Sequence, residues 1–243
     1  MRDREREFTT TELLVSVIAE MLRGVRHVAV GAASPIPGSA ALLARAQSSG
    51  ATRVSILGSP HHNTFTNGGV ELFDLAAQGR VDAFFLGGGQ IDGTGNINLV
   101  GTGNYPNVDV RWPGSFGSAY LYFLVPRMIL FREEHTRRVM VPKVDFVSAP
   151  GISEPGVYRS GGPYAMVTRL GVFGFDRERR RFNLRSVHPG HSLEEILDNT
   201  GFELDLPQRC EFTRAPEMIE LALIRSQIRD EVAAVYPRFA KQL

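Results

Sequence analysis

A short apolar run that passes into a Gly/Ser loop and then into a helical stretch recurs along the first part of this sequence, and that recurrence restricts the fold more than any other feature. Val28-Ala29-Val30 runs into Gly31-Ala32-Ala33-Ser34-Pro35-Ile36-Pro37, with a helix predicted from about Ser39 to Ala46. Val54-Ser55-Ile56-Leu57 leads to a loop over 58–69 and a helix near 71–77. Ala83-Phe84-Phe85-Leu86 opens a third copy, which ends in Gly87-Gly88-Gly89-Gln90-Ile91-Asp92. Wholly apolar runs suit strands buried on both faces of a parallel sheet. Strands alternating with helices predict an α/β fold with a mainly parallel sheet, Gly-rich loops at the strand ends, and ligands gathered at those ends.

The flanking segments extend this reading. Thr9-Thr10-Thr11-Glu12 offers a capping-box start to an amphipathic helix carrying Leu13, Leu14, Val17, Ile18, Met21 and Leu22. Residues 90–100 read as hairpin-like, 101–107 as a polar loop and 111–118 as a small-residue loop. Later strands are predicted at 128–131 and 144–147, with a strand pair over 166–175 split at Gly171 and extended by Phe182 and Leu184. Ser192 and Glu195 can form another capping box, and Pro216 suits the first position of the last helix. No solvated linker, low-complexity tract or strong repeat divides the chain, so a single domain over 1–243 is expected.

Composition removes several function classes. With 43% hydrophobic residues the 243-residue chain can bury a sizeable core, and a net charge of +1 offers neither nucleic acid nor a membrane surface a field to follow. The single Cys210 excludes an internal disulfide framework and a multi-cysteine metal site. That usage fits a reducing compartment, and a cytoplasmic location is expected. Residues 1–7 are charged rather than apolar and no run is long enough to span a bilayer, so neither a secretory nor a membrane segment is expected.

The glycines at 87–89 let backbone approach something closely, yet neither GxxxxGK[ST] nor GxGxxG fits any register there. His61 and His62 follow the second strand and carry imidazoles, the side chain whose ordinary pKa lies nearest neutrality, but adjacent residues on an extended loop point apart, so at most one is expected to face a ligand. Asp92 reads as structural, accepting hydrogen bonds across the turn that follows it. The mixed-sign clusters at 132–138 and 176–181 read as solvated turns, one of whose arginines could instead reach a ligand phosphate, and Cys210 reads as a small packed residue.

Together these residues resemble the beta subunits of family I coenzyme A transferases, most closely the glutaconate type. The resemblance rests on Gly87-Gly88-x-Gln90-Ile91-Asp92-x-x-Gly95-Asn96-x-Asn98, Arg111-x-x-Gly114-Ser115-x-Gly117, Arg137-Arg138-x-x-x-x-Lys143-Val144-Asp145-Phe146-Val147-Ser148-x-Pro150-Gly151, and Leu197-Asp198-Asn199-Thr200-Gly201-Phe202-Glu203-Leu204. It implies an open α/β sandwich fold, a separate alpha subunit of related fold in an α2β2 assembly, an acyl-CoA substrate held between the two, and no metal or redox cofactor.

One departure changes the chemistry that the resemblance implies. Transferases of this kind end their second strand in a glutamate that takes CoA as a covalent thioester, whereas here Ile56-Leu57-Gly58-Ser59-Pro60 puts Gly58 at that place. Such a chain resembles the beta subunit of an actinobacterial branch that opens the last steroid ring hydrolytically, acting on a cyclohexenone-carboxyl-CoA; the alternatives are the beta subunit of a true acyl-CoA transferase of the glutaconate type and a non-catalytic subunit that stabilises its partner. The resemblance then assigns the general base to a glutamate of the alpha partner. To this chain it leaves the wall of the pocket: Gly31, Ala32, Ala33, Gly58, Ser59, His61, Gly87, Gly88, Gly89, Gln90, Gly114, Ser115, Phe116 and Gly117. Phe116, where transferases carry a second glycine, would narrow the pocket or fill core space.

Overall fold

The computed structural model describes residues 8–66 and 68–243, so the charged stretch 1–7 lies outside the described residues. Contacts divide the chain into two compact units, one formed by the residues up to Phe85 together with Arg214–Leu243 and the other by Leu86–Thr213.

The first unit contains the strand-loop-helix recurrences. Helix α1 (Thr10–Met21) starts where Thr9 Oγ1 accepts from the Glu12 N–H at 3.2 Å and the Glu12 carboxylate accepts from the Thr9 N–H at 2.7 Å, the reciprocal box the sequence signals. Strands β1 (His27–Val30), β2 (Arg53–Ile56) and β3 (Ala83–Leu86) run parallel with β1 in the middle, Val28 registering with Val54 on one side and Ala83 on the other. Helix α2 spans Pro35–Gln47 and so begins at Pro35 rather than near Ser39. The prolines that argue against helix in the sequence occupy its first turn, where an N–H has no intrahelical acceptor to lose. Helix α3 (Gly68–Ala77) likewise starts before Glu71.

At the far end of the chain Pro216 precedes the helix instead of opening it, because Glu217 is the N-cap. Helix α6 (Met218–Leu223) continues through a π-helical turn, Ile224–Ile228, into α7 (Arg229–Ala233), and α8 (Pro237–Ala240) follows. Two buried acids join this segment to α1. Glu12 receives Arg225 Nε at 2.5 Å, and Glu220 receives the Ser16 hydroxyl at 2.9 Å.

In the second unit, β4 (Gln90–Ile91) and β5 (Ile97–Asn98) form the expected hairpin. The segment read as a polar loop is a second hairpin, β6 (Gly101–Asn104) with β7 (Asn107–Arg111). β6 reads Gly-Thr-Gly-Asn with no large apolar residue, and in β7 only Val108 and Val110 alternate, so the local strand signal is weak. The predicted strand at 144–147 is absent. There Asp145 N–H donates to Gln90 Oε1 at 2.9 Å, a side-chain acceptor that replaces a ladder partner. Strands β8 (Arg127–Phe131) and β9 (Pro163–Val167) pair parallel, and β10 (Gly171–Asp176) and β11 (Arg181–Val187) continue antiparallel. Helix α4 (Ser118–Leu124) precedes β8, and α5 (Leu193–Asn199) follows β11. Ser192 caps α5, but the Glu195 carboxylate pairs with His191 Nδ1 at 2.9 Å, so the expected box is half formed. The architecture is mixed α/β with a mainly parallel sheet.

Candidate functional site

In the first unit the loops after β1 and β2 present open backbone. Ala32 and Ala33 are exposed, and Ala33 holds a φ of +54°. Behind them Ser34 N–H donates to Tyr236 Oη at 3.3 Å. Gly58 follows β2 at a φ of +84°, and a Cβ built on it would meet no heavy atom within 4 Å. A residue with that φ is favourably glycine, and the space beside it is open. Ser59 is buried, its Oγ accepting from the N–H groups of His61 at 3.4 Å and His62 at 3.0 Å, so it ties the turn together.

The two imidazoles part as the sequence implies. His61 is exposed. His62 turns toward α7, with Nε2 at 3.1 Å from Glu231, and burial draws its pKa below the ordinary value despite that carboxylate. Glu71 is the first carboxylate after Gly58 in sequence. It accepts from the Thr66 N–H and, at 2.6 Å, from the Thr66 hydroxyl, which turns it toward its own loop.

The second unit holds a cavity of about 640 Å³. Four of the expected residues line it, Gly87, Gly88, Gly89 and Gly114, together with Trp112, Pro113, Leu99, Thr102, Val110, Phe131, Val139, Arg132 and Arg138. The glycines are explained first by packing. A Cβ on Gly88 would stand 2.7 Å from Ile97 Cγ2, and one on Gly89 would run into the Trp112 ring. Gly89 therefore lets an indole, rather than a ligand, lie against the backbone, and the indole becomes a cavity wall. Gly89→Ala is expected to displace the only tryptophan, shifting its emission and lowering stability by about 1–3 kcal/mol. Unchanged emission with an unchanged melting temperature would contradict this packing.

Gln90 does not line the cavity. Its carboxamide donates to Asp145 Oδ2 at 3.0 Å and accepts from Asn98 Nδ2 at 2.7 Å, bracing the hairpin from within. Asp92 is structural as expected, its Oδ1 accepting from Thr94 N–H at 3.0 Å, Thr94 Oγ1 at 2.8 Å and Asn96 N–H at 3.1 Å. Ser115, Phe116 and Gly117 follow Gly114 but lie outside the cavity lining. Phe116 is 87% exposed at a φ of +43°, so within this chain it fills no core space.

Arg132 and Arg138 belong to the cluster that reads in sequence mainly as a solvated turn, where nothing chooses among its arginines. Glu134 lies between them, accepting from Arg138 Nη2 at 2.8 Å and Arg132 Nη2 at 3.2 Å. Hydrogen bonding from Arg138 holds its carboxyl below the ordinary range, against the opposing effect of burial. The other mixed-sign cluster is the turn it was expected to be, with Arg179 and Arg181 pairing to Asp205 at 2.7 and 3.3 Å. Among the described residues no group of three or more His, Cys, Asp or Glu gathers to hold a metal ion, and no helix is long and apolar enough to cross a membrane.

A family model described as coenzyme A transferase matches residues 8–199. The chain is similar to a glutaconate CoA-transferase subunit of Acidaminococcus fermentans, 36% identical over 151 residues that cover 59% of this chain and 56% of that protein. It is similar also to the cholesterol ring-cleaving hydrolase IpdB subunit of Rhodococcus jostii, 33% identical over 159 residues that cover 64% and 62%. The matched stretch thus spans less than two thirds of these relatives' own lengths. Among solved structures, that of Rhodococcus jostii IpdAB superposes with a TM-score of 0.79 at 28% identity, covering 91% of this chain and 94% of the other.

Proposed function

This chain belongs to the coenzyme A transferase family, and from that premise we propose that it is the beta-type half of a two-subunit enzyme that opens a ring on a CoA thioester with water. The observation that carries the reading is Gly58. Where the family resemblance puts an acyl-accepting glutamate, this chain has a residue without a side chain, in open space, and the next carboxylate in sequence is engaged with Thr66. A covalent thioester needs a nucleophile to accept the acyl group. Without one, water is the acceptor.

The chemistry is balanced without a further reactant. Water adds to a ring ketone placed beta to the thioester, and the bond between that carbon and its neighbour then breaks. The electron pair is held as the thioester enolate, which takes a proton, leaving a new carboxylate on an open chain still joined to CoA. Such a reaction calls for a base acting on water and fixed N–H donors near the oxyanion. The base is assigned to an alpha subunit, in keeping with relatives whose names describe them as subunits, and the assembly is proposed to be α2β2. The open backbone of Gly31 to Ala33 and Gly58 is proposed to supply donors within the first unit, and that of Gly87, Gly88 and Gly114 within the second, the Gly89 N–H being engaged with Asn98 O at 2.9 Å.

A transfer reading is favoured by the 36% identity to a glutaconate transferase subunit. Labelled water separates the two. With the alpha subunit present, turnover in ¹⁸O water is expected to place one labelled oxygen in the new carboxylate of each ring-opened product while CoA stays attached. Unlabelled products formed only when an acceptor acid is added would establish transfer instead.

A further inference from the structure

We propose that a separate cavity of the second unit, about 290 Å³ at the start of β9, binds a phosphate dianion, either free or carried by a small molecule.

Its place in the sheet sets it apart from the cavity of Gly87 and Trp112. Strands β8 and β9 run parallel, with Met128 registering with Pro163 and Phe131 with Val167. Phe131, at the carboxyl end of β8, lines the larger cavity, whereas Pro163 opens β9 at its amino end and lines the smaller one. The two therefore sit at opposite ends of the strand pair, and they share no lining residue. Substrates of open α/β sheets gather at the carboxyl ends, so a substrate bound there does not account for the charges at the other end.

The turn after β10 divides its arginines between two tasks. Arg179 and Arg181 pair with Asp205 at 2.7 and 3.3 Å, and Asp176 Oδ1 is taken up by the N–H groups of Glu178 and Arg179, both at 2.9 Å. Arg177 and Arg180 line the cavity instead, are exposed, and form no ion pair among the described residues. Arg177 donates Nη2 to Ser160 O at 3.4 Å, which leaves its other N–H groups uncommitted. A third arginine of the lining, Arg159, is held by Pro150 O at 2.7 Å and Tyr122 O at 3.1 Å, with the Tyr122 ring centre 5.2 Å from its guanidinium carbon. Burial draws Arg159 below its ordinary value, and although Tyr122 opposes this, the charge of Arg177 adds to it. Glu154 is the one carboxylate of the lining, so three guanidiniums leave a surplus of two positive charges.

That surplus selects the anion. A phosphate group carries about −1.5 to −2 charges near neutral pH, whereas a carboxylate neutralises half of what is gathered here. The planar forks of Arg177 and Arg180 suit phosphate oxygens. Ser153 Oγ accepts from Arg159 Nη1 at 3.4 Å and keeps its own hydrogen to donate. The volume lies at the lower edge of small-ligand pockets, so the cavity takes the phosphate and a few further atoms.

The test titrates the two-subunit enzyme, this chain with a co-expressed alpha subunit, with inorganic phosphate by calorimetry at constant ionic strength. Saturable binding at one site per chain is expected, about tenfold or more tighter than acetate. Arg177→Met and Arg180→Met should each weaken phosphate about tenfold or more, and Arg177→Lys less. Glu154→Gln enlarges the surplus and should tighten phosphate, a gain that structural damage does not produce. Methyl phosphate separates the sources: affinity equal to that of inorganic phosphate assigns a carried group, and exclusion assigns the free ion. The proposal is overturned if phosphate fails to saturate, if acetate binds as well, or if both methionine variants keep wild-type affinity. It is overturned also if saturating butyryl-CoA displaces the phosphate, because the charges would then belong to the substrate's own site. None of these readouts depends on which reaction the enzyme performs.

Discussion

Lowering the pH from 7 to 4 is expected to remove about 6 kcal/mol of stability from the second unit, through two histidines buried as neutral groups. His135 is 4% exposed, with Nδ1 at 2.9 Å from Thr168 Oγ1 and Nε2 at 2.9 Å from Thr200 Oγ1. Burial lowers its pKa to about 4, the charge of Glu195 opposing. His188 is 1% exposed, with Nδ1 at 2.8 Å from Thr213 Oγ1 and Nε2 at 3.0 Å from Thr168 O. Burial lowers it to about 4 as well, resisted by the hydrogen bond to the Thr168 carbonyl and reinforced by His191.

In the unfolded chain both imidazoles bind protons below about 6.5. The unfolded state therefore takes up two protons that the folded state refuses until pH 4. Stability is fully present above pH 6.5 and falls as the pH drops through that window, by about 3 kcal/mol per histidine at pH 4. Urea denaturation near pH 5 should show a slope approaching 2.7 kcal/mol per pH unit, roughly twice that of one proton. Replacing His188 by Gln should halve it. A slope below that of one proton, or His135 and His188 resonances titrating near 6.5 in the folded protein, would contradict the burial argument.

Glu220→Ala is expected to cost the first unit about 3–5 kcal/mol, because it strips the acceptor from a set of buried and half-buried donors. Glu220 is 3% exposed. Its carboxylate accepts from the Ser16 hydroxyl at 2.9 Å, Gln47 Nε2 at 3.1 Å, the Glu217 N–H at 2.8 Å, and Arg214 Nη2 at 3.1 and 3.2 Å. Burial alone would raise its pKa, but the Glu217 N–H, Ser16 and Arg214 outweigh that and hold it below the ordinary value. One side chain thus joins α1, α2 and the start of α6. Truncation leaves Ser16 and Gln47 donors without acceptors, whereas Glu220→Gln keeps part of the network and should cost about 1–2 kcal/mol. A loss below about 1 kcal/mol for the alanine variant in urea denaturation would show that water replaces the carboxylate.

These networks mark the limit of what the sequence discloses. The three parallel strands and the α1 cap were legible because their signals are local: apolar runs, and Thr9 with Glu12 in reciprocal spacing. The start of α2 was misplaced because Pro35 and Pro37 carry a strong local penalty that applies only beyond the first turn. The hairpin 101–111 was hidden because its first strand is Gly-Thr-Gly-Asn and its second carries only Val108 and Val110, and the run 144–147 looked like a strand because nothing in its own sequence reveals that Gln90 and Asp92 supply its partners.

At the site, the glycines at 87–89 were found, but their first reason was not. Their close neighbours are Ile97 and Trp112, which only folding brings to them. Arg132 and Arg138 carried the least legible signal. In sequence they belong to a mixed-charge cluster of the kind that usually lies in solvent, and only the unequal sharing of Glu134 distinguishes them from it.

The central claim is that this polypeptide accepts no acyl or CoA group. The direct measurement is the intact mass of the chain taken from the working two-subunit enzyme during turnover of an acyl-CoA, with and without borohydride trapping. The unmodified mass under both conditions is the predicted result. A CoA adduct, or a reduced carboxylate mapped by peptide mass to any acidic residue of this chain, would contradict the account and restore covalent transfer.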